Sequence, residues 1–400
     1  MGLPKLKTIL FASGLCFVAG SLIYFPGEAF QASVRGLDVW WKIVFPSLLP
    51  FFILSELLIS YGVVRFIGVL LEPVMRPLFR VPGVGGFVWA MGWASGNPAG
   101  ARLAVRMRED GEISRTEGER LVAFTSCSNP LFIFGAVSVG FFQNPALGPV
   151  LGLSHYGGNI LVGLLMRYYG KDEKKERTRW VFPIRKAFRE MHKTRILDVR
   201  PFGKILGDAV ISSVQTLLMI GGFIILFSVF NRLLSRVGIA NLLIAWMRQI
   251  LSLFSLPENL AGPVVSGLFE ITIGSQLVSE TAMVPLLYQA VTVSFFLAFG
   301  GFSIQAQVAS ILARTDIRFR PFFMARLLHG FLSAILTALL WNPLFGNREG
   351  KVAAVPALFH WFERQGYGFQ LFAAETGPIL TIAALVLYTG LLVRRHAVGK

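Results

Sequence analysis

The feature that most constrains this chain is a recurrence of apolar stretches, each long enough to cross a bilayer core of about 30 Å as a helix of roughly 20 residues. Eight such runs are present, at 8–25, 41–64, 119–142, 147–169, 209–233, 283–313, 322–344 and 377–393. With 54% apolar and 15% charged side chains among 400 residues, and a mean hydropathy of +0.62, the chain has more apolar surface than one water-exposed core can bury. It therefore predicts an all-α polytopic membrane protein. Lys5 and Lys7 before the first run resemble the start of a secretory signal. The bulky Tyr24-Phe25-Pro26 stands where a small-residue cleavage site would be needed, so the run is expected to be retained.

The net charge of +16 reads as topology before it reads as nucleic-acid binding, because Lys and Arg collect on the cytoplasmic side of membrane proteins. Placing the basic linker at 171–207 in the cytoplasm and tracing the spans outward puts both termini inside. It also divides the 38 basic residues into about 30 inside and about 8 outside. The excess charge thus predicts orientation and contact with anionic lipid, and no nucleic acid is expected as a partner. Cys16 and Cys127 fall in different apolar runs, so neither a disulfide framework nor a metal cluster is expected, and no cofactor is implied.

The sequence also repeats itself. Residues 154–161 fall on 328–335 with His155 on His329, an offset of 174, and 124–131 falls on 298–305 and 48–53 on 222–227 at the same offset. This divides the chain into an N-terminal helix and outside loop (1–39), a first unit (40–170), the cytoplasmic linker (171–207), a second unit (208–344), and an outside loop with a C-terminal helix (345–400). Each unit holds three full spans, an odd number, and the linker does not cross, so the second unit is expected to be inverted relative to the first. Inverted repeats of this kind build secondary transporters, with the binding site near the midplane.

Between the second and third runs, the apolar stretch 81–108 is interrupted by Ser95-Gly96-Asn97-Pro98, which no continuous helix survives. Its ends both lie on the cytoplasmic side, so it reads as a re-entrant hairpin. The second unit has its counterpart at 257–281, centred on Glu270, Thr272 and Gly274 and entering from outside. The third run carries a further break at Ser126-Cys127-Ser128-Asn129-Pro130, and the sixth a matching one at Gly300-Gly301-Phe302-Ser303-Ile304-Gln305. Irregular backbone at membrane depth is tolerated where protein or water satisfies it, so the four breaks are expected to meet around a polar cavity. Half-helix N-termini there can face an anion and freed carbonyls a cation. The candidate substrate-binding residues are Ser95, Gly96, Asn97, Ser126, Ser128, Asn129, Thr272, Ser303 and Gln305, although small residues and proline also let helices pack closely.

Glu270 is a carboxylate in the middle of an apolar hairpin, which costs about 2.5–3.5 kcal/mol or more and by default marks function. It is the candidate proton-coupling residue, unless a basic partner or a watery surface explains it. Glu56 invites a weaker form of the same argument. His155 and His329, near span ends, read more readily as packing residues. Arg102 and Arg106 either steer an anion inward or snorkel to headgroups. Segments 65–80 and 235–254 have the mixed pattern of interfacial helices.

The stretches FPSLLPFFILSELLI, RVPGVGGFVWAMGWASGNPAGARL, SNPLFIFGAVSVGFF and GGFSIQAQVASI resemble the nucleoside-recognition Gate-domain family. Within that family the likeness is to its sporulation integral membrane proteins of endospore formers. The resemblance implies a fold related to the concentrative nucleoside transporters, with two re-entrant hairpins and two broken transmembrane helices. It further implies a transporter in the mother-cell membrane around the forespore that moves dipicolinic acid, a planar dianion, with a proton or sodium as the unresolved coupling ion. Members of related folds are often trimers, so a homo-oligomer is compatible with it. Nucleosides are the alternative substrate, disfavoured because the hairpins lack the acidic and glutamine pairs that would grip a ribose and base. A receptor or assembly protein that kept the fold is the other alternative. No HExxH, GxSxG or close acid pair occurs in the spans, so no enzymatic activity is expected.

Overall fold

A computed structural model describes residues 3–170 and 184–346, and every element in them is a helix. Helix α1 (Leu3–Tyr24) is followed after one residue by α2 (Pro26–Val39), which turns by 101° from it. The stretch expected to be an outside loop is therefore helical. Pro26 pre-sets the first turn, Glu28 complements the positive helix end, and Ala29, Ala32 and Gly36 bury a small-residue face. A π-helical turn, Trp40–Val44, leads into α3 (Phe45–Ser60), and the chain bends by 82° at Tyr61-Gly62 into α4 (Val63–Phe79).

The first hairpin is α5 (Val84–Ser95) and α6 (Ala99–Glu109), joined by Gly96-Asn97-Pro98. Then α7 (Arg115–Thr125) starts on a capping box, in which the Glu117 amide donates to Ser114 Oγ at 3.3 Å and the Ser114 amide to the Glu117 carboxylate at 2.8 Å. It stops at Thr125, and after five irregular residues a π-helical segment, Leu131–Phe141, completes the broken span. α8 (Leu147–Met166) closes the first unit.

Within the expected linker lies α9 (Ile184–Leu197), an element the sequence reading does not anticipate. The next span, α10 (Phe202–Arg236), begins inside that linker too. The second unit continues with α11 (Ile239–Leu253), the hairpin α12 (Ala261–Phe269) and α13 (Ile271–Ser279), the broken pair α14 (Leu286–Phe299) and α15 (Gly301–Leu312), and α16 (Phe319–Trp341). Both segments read as interfacial, 65–80 and 235–254, are helical. Four helical stretches are long and apolar enough to span on their own: Leu147–Met166, Phe202–Arg236, Leu286–Leu312 and Phe319–Phe345. Two bent pairs supply further candidates. The eighth apolar run and the loop before it lie outside the described residues.

The element order of the first unit is thus repeated in the second, and the packing between units is reciprocal. α3 meets its counterpart α10, and α8 meets α16. The hairpin arm α6 packs on the broken helix α15, while its counterpart α13 packs on the segment Leu131–Phe141. α7 packs on α16 as α14 does on α8. Contacts in which each surface recurs with its partner exchanged are the signature of a two-fold relation.

The first hairpin seats on the end of α7 through glycine. A Cβ at either Gly92 or Gly100 would run into the Thr125 carbonyl oxygen, so both arms approach that backbone at a distance only glycine allows. Gly100→Ala should therefore lower stability in detergent by about 1–3 kcal/mol through overpacking. Gly207→Ala on α10, where the added methyl meets open space, should leave the melting temperature unchanged or higher.

Candidate functional site

The four breaks converge. Ser95, Gly96 and Asn97 at the first hairpin tip, and Ser128 and Asn129 in the first broken span, line one cavity of about 760 Å³. Glu270 and Thr272 from the second hairpin and Ser303 from α15 line it as well. Ser126 and Gln305, placed in the site by residue type, lie behind its wall. The Gln305 amide donates to the Phe299 carbonyl at 2.8 Å and so satisfies the end of α14. Gln307, one turn from Ser303 and donating to its Oγ at 3.3 Å, faces the cavity and was not anticipated. Much of the remaining wall is apolar, with Phe132 and Phe141 from the π-helical segment and Ile220 and Ile224 from α10.

The polar groups differ in what they are free to do. Asn129 is a staple: its amide donates to the Ser95 carbonyl at 3.1 Å, and its oxygen accepts from the Phe132 amide at 2.8 Å. Gly96 takes a φ of 84°, and a side chain there would press on Asn129. Ser128 Oγ donates across the unit boundary to the Leu297 carbonyl at 3.2 Å. By contrast, Ser95 Oγ and Asn97 Oδ1 are buried without a partner among the described residues.

Glu270 is the N-cap of α13. The Ile273 amide donates to one carboxylate oxygen at 2.8 Å and the Thr272 hydroxyl to the other at 3.0 Å, with the residue 8% exposed. Among the described residues no lysine or arginine pairs with it. The helix end at the second hairpin, a site the sequence reading leaves open to a substrate anion, is thus occupied by the protein's own carboxylate. Lys42 is the one basic residue in the cavity lining, and its ammonium lies 2.8 Å from Asp38. Arg102 is not free either. It reaches Glu56 at 2.6 Å and Ser212 at 2.8 Å with its guanidinium over the Phe52 ring, so Glu56 and Arg102 answer each other.

Residues 41–145 match the Gate family, described as nucleoside recognition. Over 349 residues the chain is 60% identical to the sporulation integral membrane protein YlbJ of Bacillus subtilis, covering 86% of this chain and 85% of that one. The chain belongs to that family of integral membrane proteins. An uncharacterised protein of Alkalihalophilus pseudofirmus is 31% identical over 138 residues, 33% of this chain and 29% of its own length. A solved structure of a CNTnw variant in an outward-facing state aligns at 13% identity and a TM-score of 0.47, over 84% of this chain and 87% of that one.

What holds the Gate-domain break open is a residue that the sequence reading passed over. Arg326 on α16 is 1% exposed, and its guanidinium donates to the carbonyls of Ala123 and Ser126 at the free end of α7. It also lies 3.0 Å from His329 Nδ1. Arginine only donates, so Nδ1 accepts and the ring proton is on Nε2, which donates to the His155 carbonyl at 2.7 Å. His155 Nε2 in turn accepts from the Ser128 amide at 3.0 Å, and the Tyr156 hydroxyl donates to the Ser128 carbonyl at 3.1 Å. The two repeat-related histidines therefore belong to the support of the break. At the repeat offset Arg326 falls on Gly152, so the clamp exists in one unit only. An arginine inside an otherwise apolar span was the available signal.

Arg326→Met should destabilise the protein by about 1–3 kcal/mol for each carbonyl left buried without a donor. Arg326→Lys, which can satisfy one of them, should recover part of that loss in the same detergent denaturation experiment.

Proposed function

We propose that the protein carries a small planar anion, dipicolinic acid in the first instance, across the mother-cell-derived membrane around the forespore, by alternating access and together with a proton. The observation that carries this reading is the convergence of two hairpin tips and two broken spans on one cavity, where the side chains of Ser95 and Asn97 keep polar atoms with no partner among the described residues. Such groups at membrane depth are satisfied by water or by a solute. The setting rests on the name of the 60% identical relative, and the solute on the family resemblance of the motifs.

The cavity's charges favour proton coupling. A carboxylate about 4 Å from an ionised Glu270 is repelled by about 4 kcal/mol at an effective dielectric constant near 20. Protonating Glu270 removes that repulsion and turns an acceptor into a donor. The first hairpin tip, with α6 beginning behind Asn97, is then the place for one solute carboxylate, and Lys42 reaches the other by exchanging its Asp38 partner for it. Phe132 and Phe141 give a planar ring apolar faces to lie against.

With both termini in the cytoplasm, as the charge distribution leads us to propose, the lining residues Val39, Lys42, Gly140 and Phe141 lie toward the outside. The cytoplasmic side is bridged by Arg108 to both Asp316 oxygens at 2.9 Å and by Arg314 to Glu109 at 3.2 Å. The Arg108 hydrogen bonds hold the Asp316 carboxyl below the usual carboxylate range. Its stabilising contribution is therefore complete above the unfolded pKa of about 3.9 and fades only as pH falls through the lower folded value. A pH dependence of transport near neutrality would then not come from this pair.

The test is flux of labelled dipicolinate into proteoliposomes under an imposed pH gradient. Ser95→Ala with Asn97→Ala should reduce it at least about tenfold, the scale of one lost hydrogen bond to a charged group. Glu270→Gln should remove its response to the gradient. Flux that ignores both changes would refute the site and the coupling. Uridine in parallel tests the nucleoside reading that the Gate description favours. Flux of neither solute from a folded protein would point to a receptor or assembly role.

A further inference from the structure

We infer that α9 is an anionic-lipid-binding foot that holds the elbow of the second span at the cytoplasmic membrane surface. The inference takes from the proposed function only the orientation of the chain.

Two ends of the spans locate α9. It packs on α4 directly beyond the 82° bend at Tyr61-Gly62, where the chain leaves the direction of α3. Its own C-terminus, Leu197, lies five residues before Phe202, where the long apolar helix α10 starts. A helix pinned between the end of one span and the start of another lies at the membrane surface. The pinning is close: a Cβ at Gly62 would sit 2.6 Å from the Met191 carbonyl oxygen, Phe66 and Phe188 pack with ring centroids 4.8 Å apart, and Arg195 lies over the Tyr61 ring at 5.1 Å.

The helical period then sorts the side chains. Ala187, Met191 and Thr194 share the face turned to α4. The opposite arc presents Arg185, Arg189, His192 and Lys193 to the surroundings, with Lys186 at its edge. Arg189 is 75% exposed and only grazes Glu190, at 4.0 Å. Apolar residues flank the basic arc: Ile184 and Phe188 on one side, Ile196 and Leu197 at the end, followed by Val199, which is 90% exposed. Six large exposed apolar groups from 184 to 202 have no reason to face water, and bases beside them match a surface that is apolar beneath and negatively charged at the headgroups. Each such base contributes roughly fivefold to attraction by an anionic leaflet at low salt. The occupant is therefore the anionic phospholipid surface of the cytoplasmic leaflet.

Through α4 the foot reaches the transport machinery. Glu72 on α4 accepts from the Gly83 amide at the start of the first hairpin, and Arg76 ties Glu72 at 2.7 Å to Glu117 on α7 at 2.5 Å.

The test places a fluorophore on His192→Cys in a Cys16→Ser background, in the full chain reconstituted into vesicles. Quenching by brominated phosphatidylglycerol is compared with quenching by brominated phosphatidylcholine at equal bromine content. Stronger quenching by the glycerol lipid, falling several-fold between low and high salt, is the expected result, and no change to an arginine or lysine of the arc is needed to see it. In Arg185→Gln, Lys186→Gln, Arg189→Gln, Lys193→Gln the preference should vanish while melting in detergent stays unchanged. Equal quenching by both lipids, or a preference indifferent to salt, would overturn the inference. Quenching by neither would do so as well and leave the face to a protein partner. None of these readouts depends on solute flux, so the inference and the transport reading can fail separately.

Discussion

Everything at the centre of this molecule depends on satisfying backbone carbonyls that a broken helix sets free inside a membrane. When α7 ends at Thr125, the last carbonyls of its final turn lose their intrahelical partners in a place where water is scarce. The guanidinium of Arg326 takes those of Ala123 and Ser126, and the hydroxyl of Tyr156 takes that of Ser128. An unpaired arginine at that depth would be costlier still than an unpaired carbonyl. Each offsets part of the other's cost, and the break becomes a feature against which both arms of the first hairpin seat.

The second half solves the same problem with weaker means. Its break rests on two consecutive glycines, Gly300 and Gly301, with φ of 90° and 64°, and on the Gln305 amide that donates to Phe299. No guanidinium occupies the position related to Arg326. The reciprocal packing of the two units makes them alike in outline, while the chemistry that fixes each break differs.

The spans and breaks were legible in the sequence because bilayer thickness sets the length of an apolar run, and because glycine, proline, serine and asparagine interrupt it at matched offsets. Eight of the residues proposed for the site do share one cavity for the same reason. What stayed hidden was direction. Nothing in residue type says that Ser126 turns its carbonyl to Arg326, or that Asn129 spends its amide on Ser95. The role of Glu270 was hidden by a one-residue question, where α13 begins, since a cap is defined by the helix it precedes. Arg326 escaped because its acceptors are carbonyls two hundred positions away, which no local pattern encodes. α2 escaped because it continues the span that follows it and packs along α10, where Gly36 and Ala32 meet Ile225 and Ser228, and α9 because it carries neither the length of a span nor the punctuation of a turn.

The single copy of the arginine clamp has a further consequence. A perfectly symmetric inverted repeat would exchange its two open states as mirror partners of equal energy. Here one break is cross-linked by a buried cation and the other pivots on two glycines, so the exchange relates states that are not equivalent. In the carrier proposed above, two such states have no symmetry that would make their energies equal before any solute or ion gradient acts. The duplication supplied two breaks, and only one of them is pinned by a buried arginine.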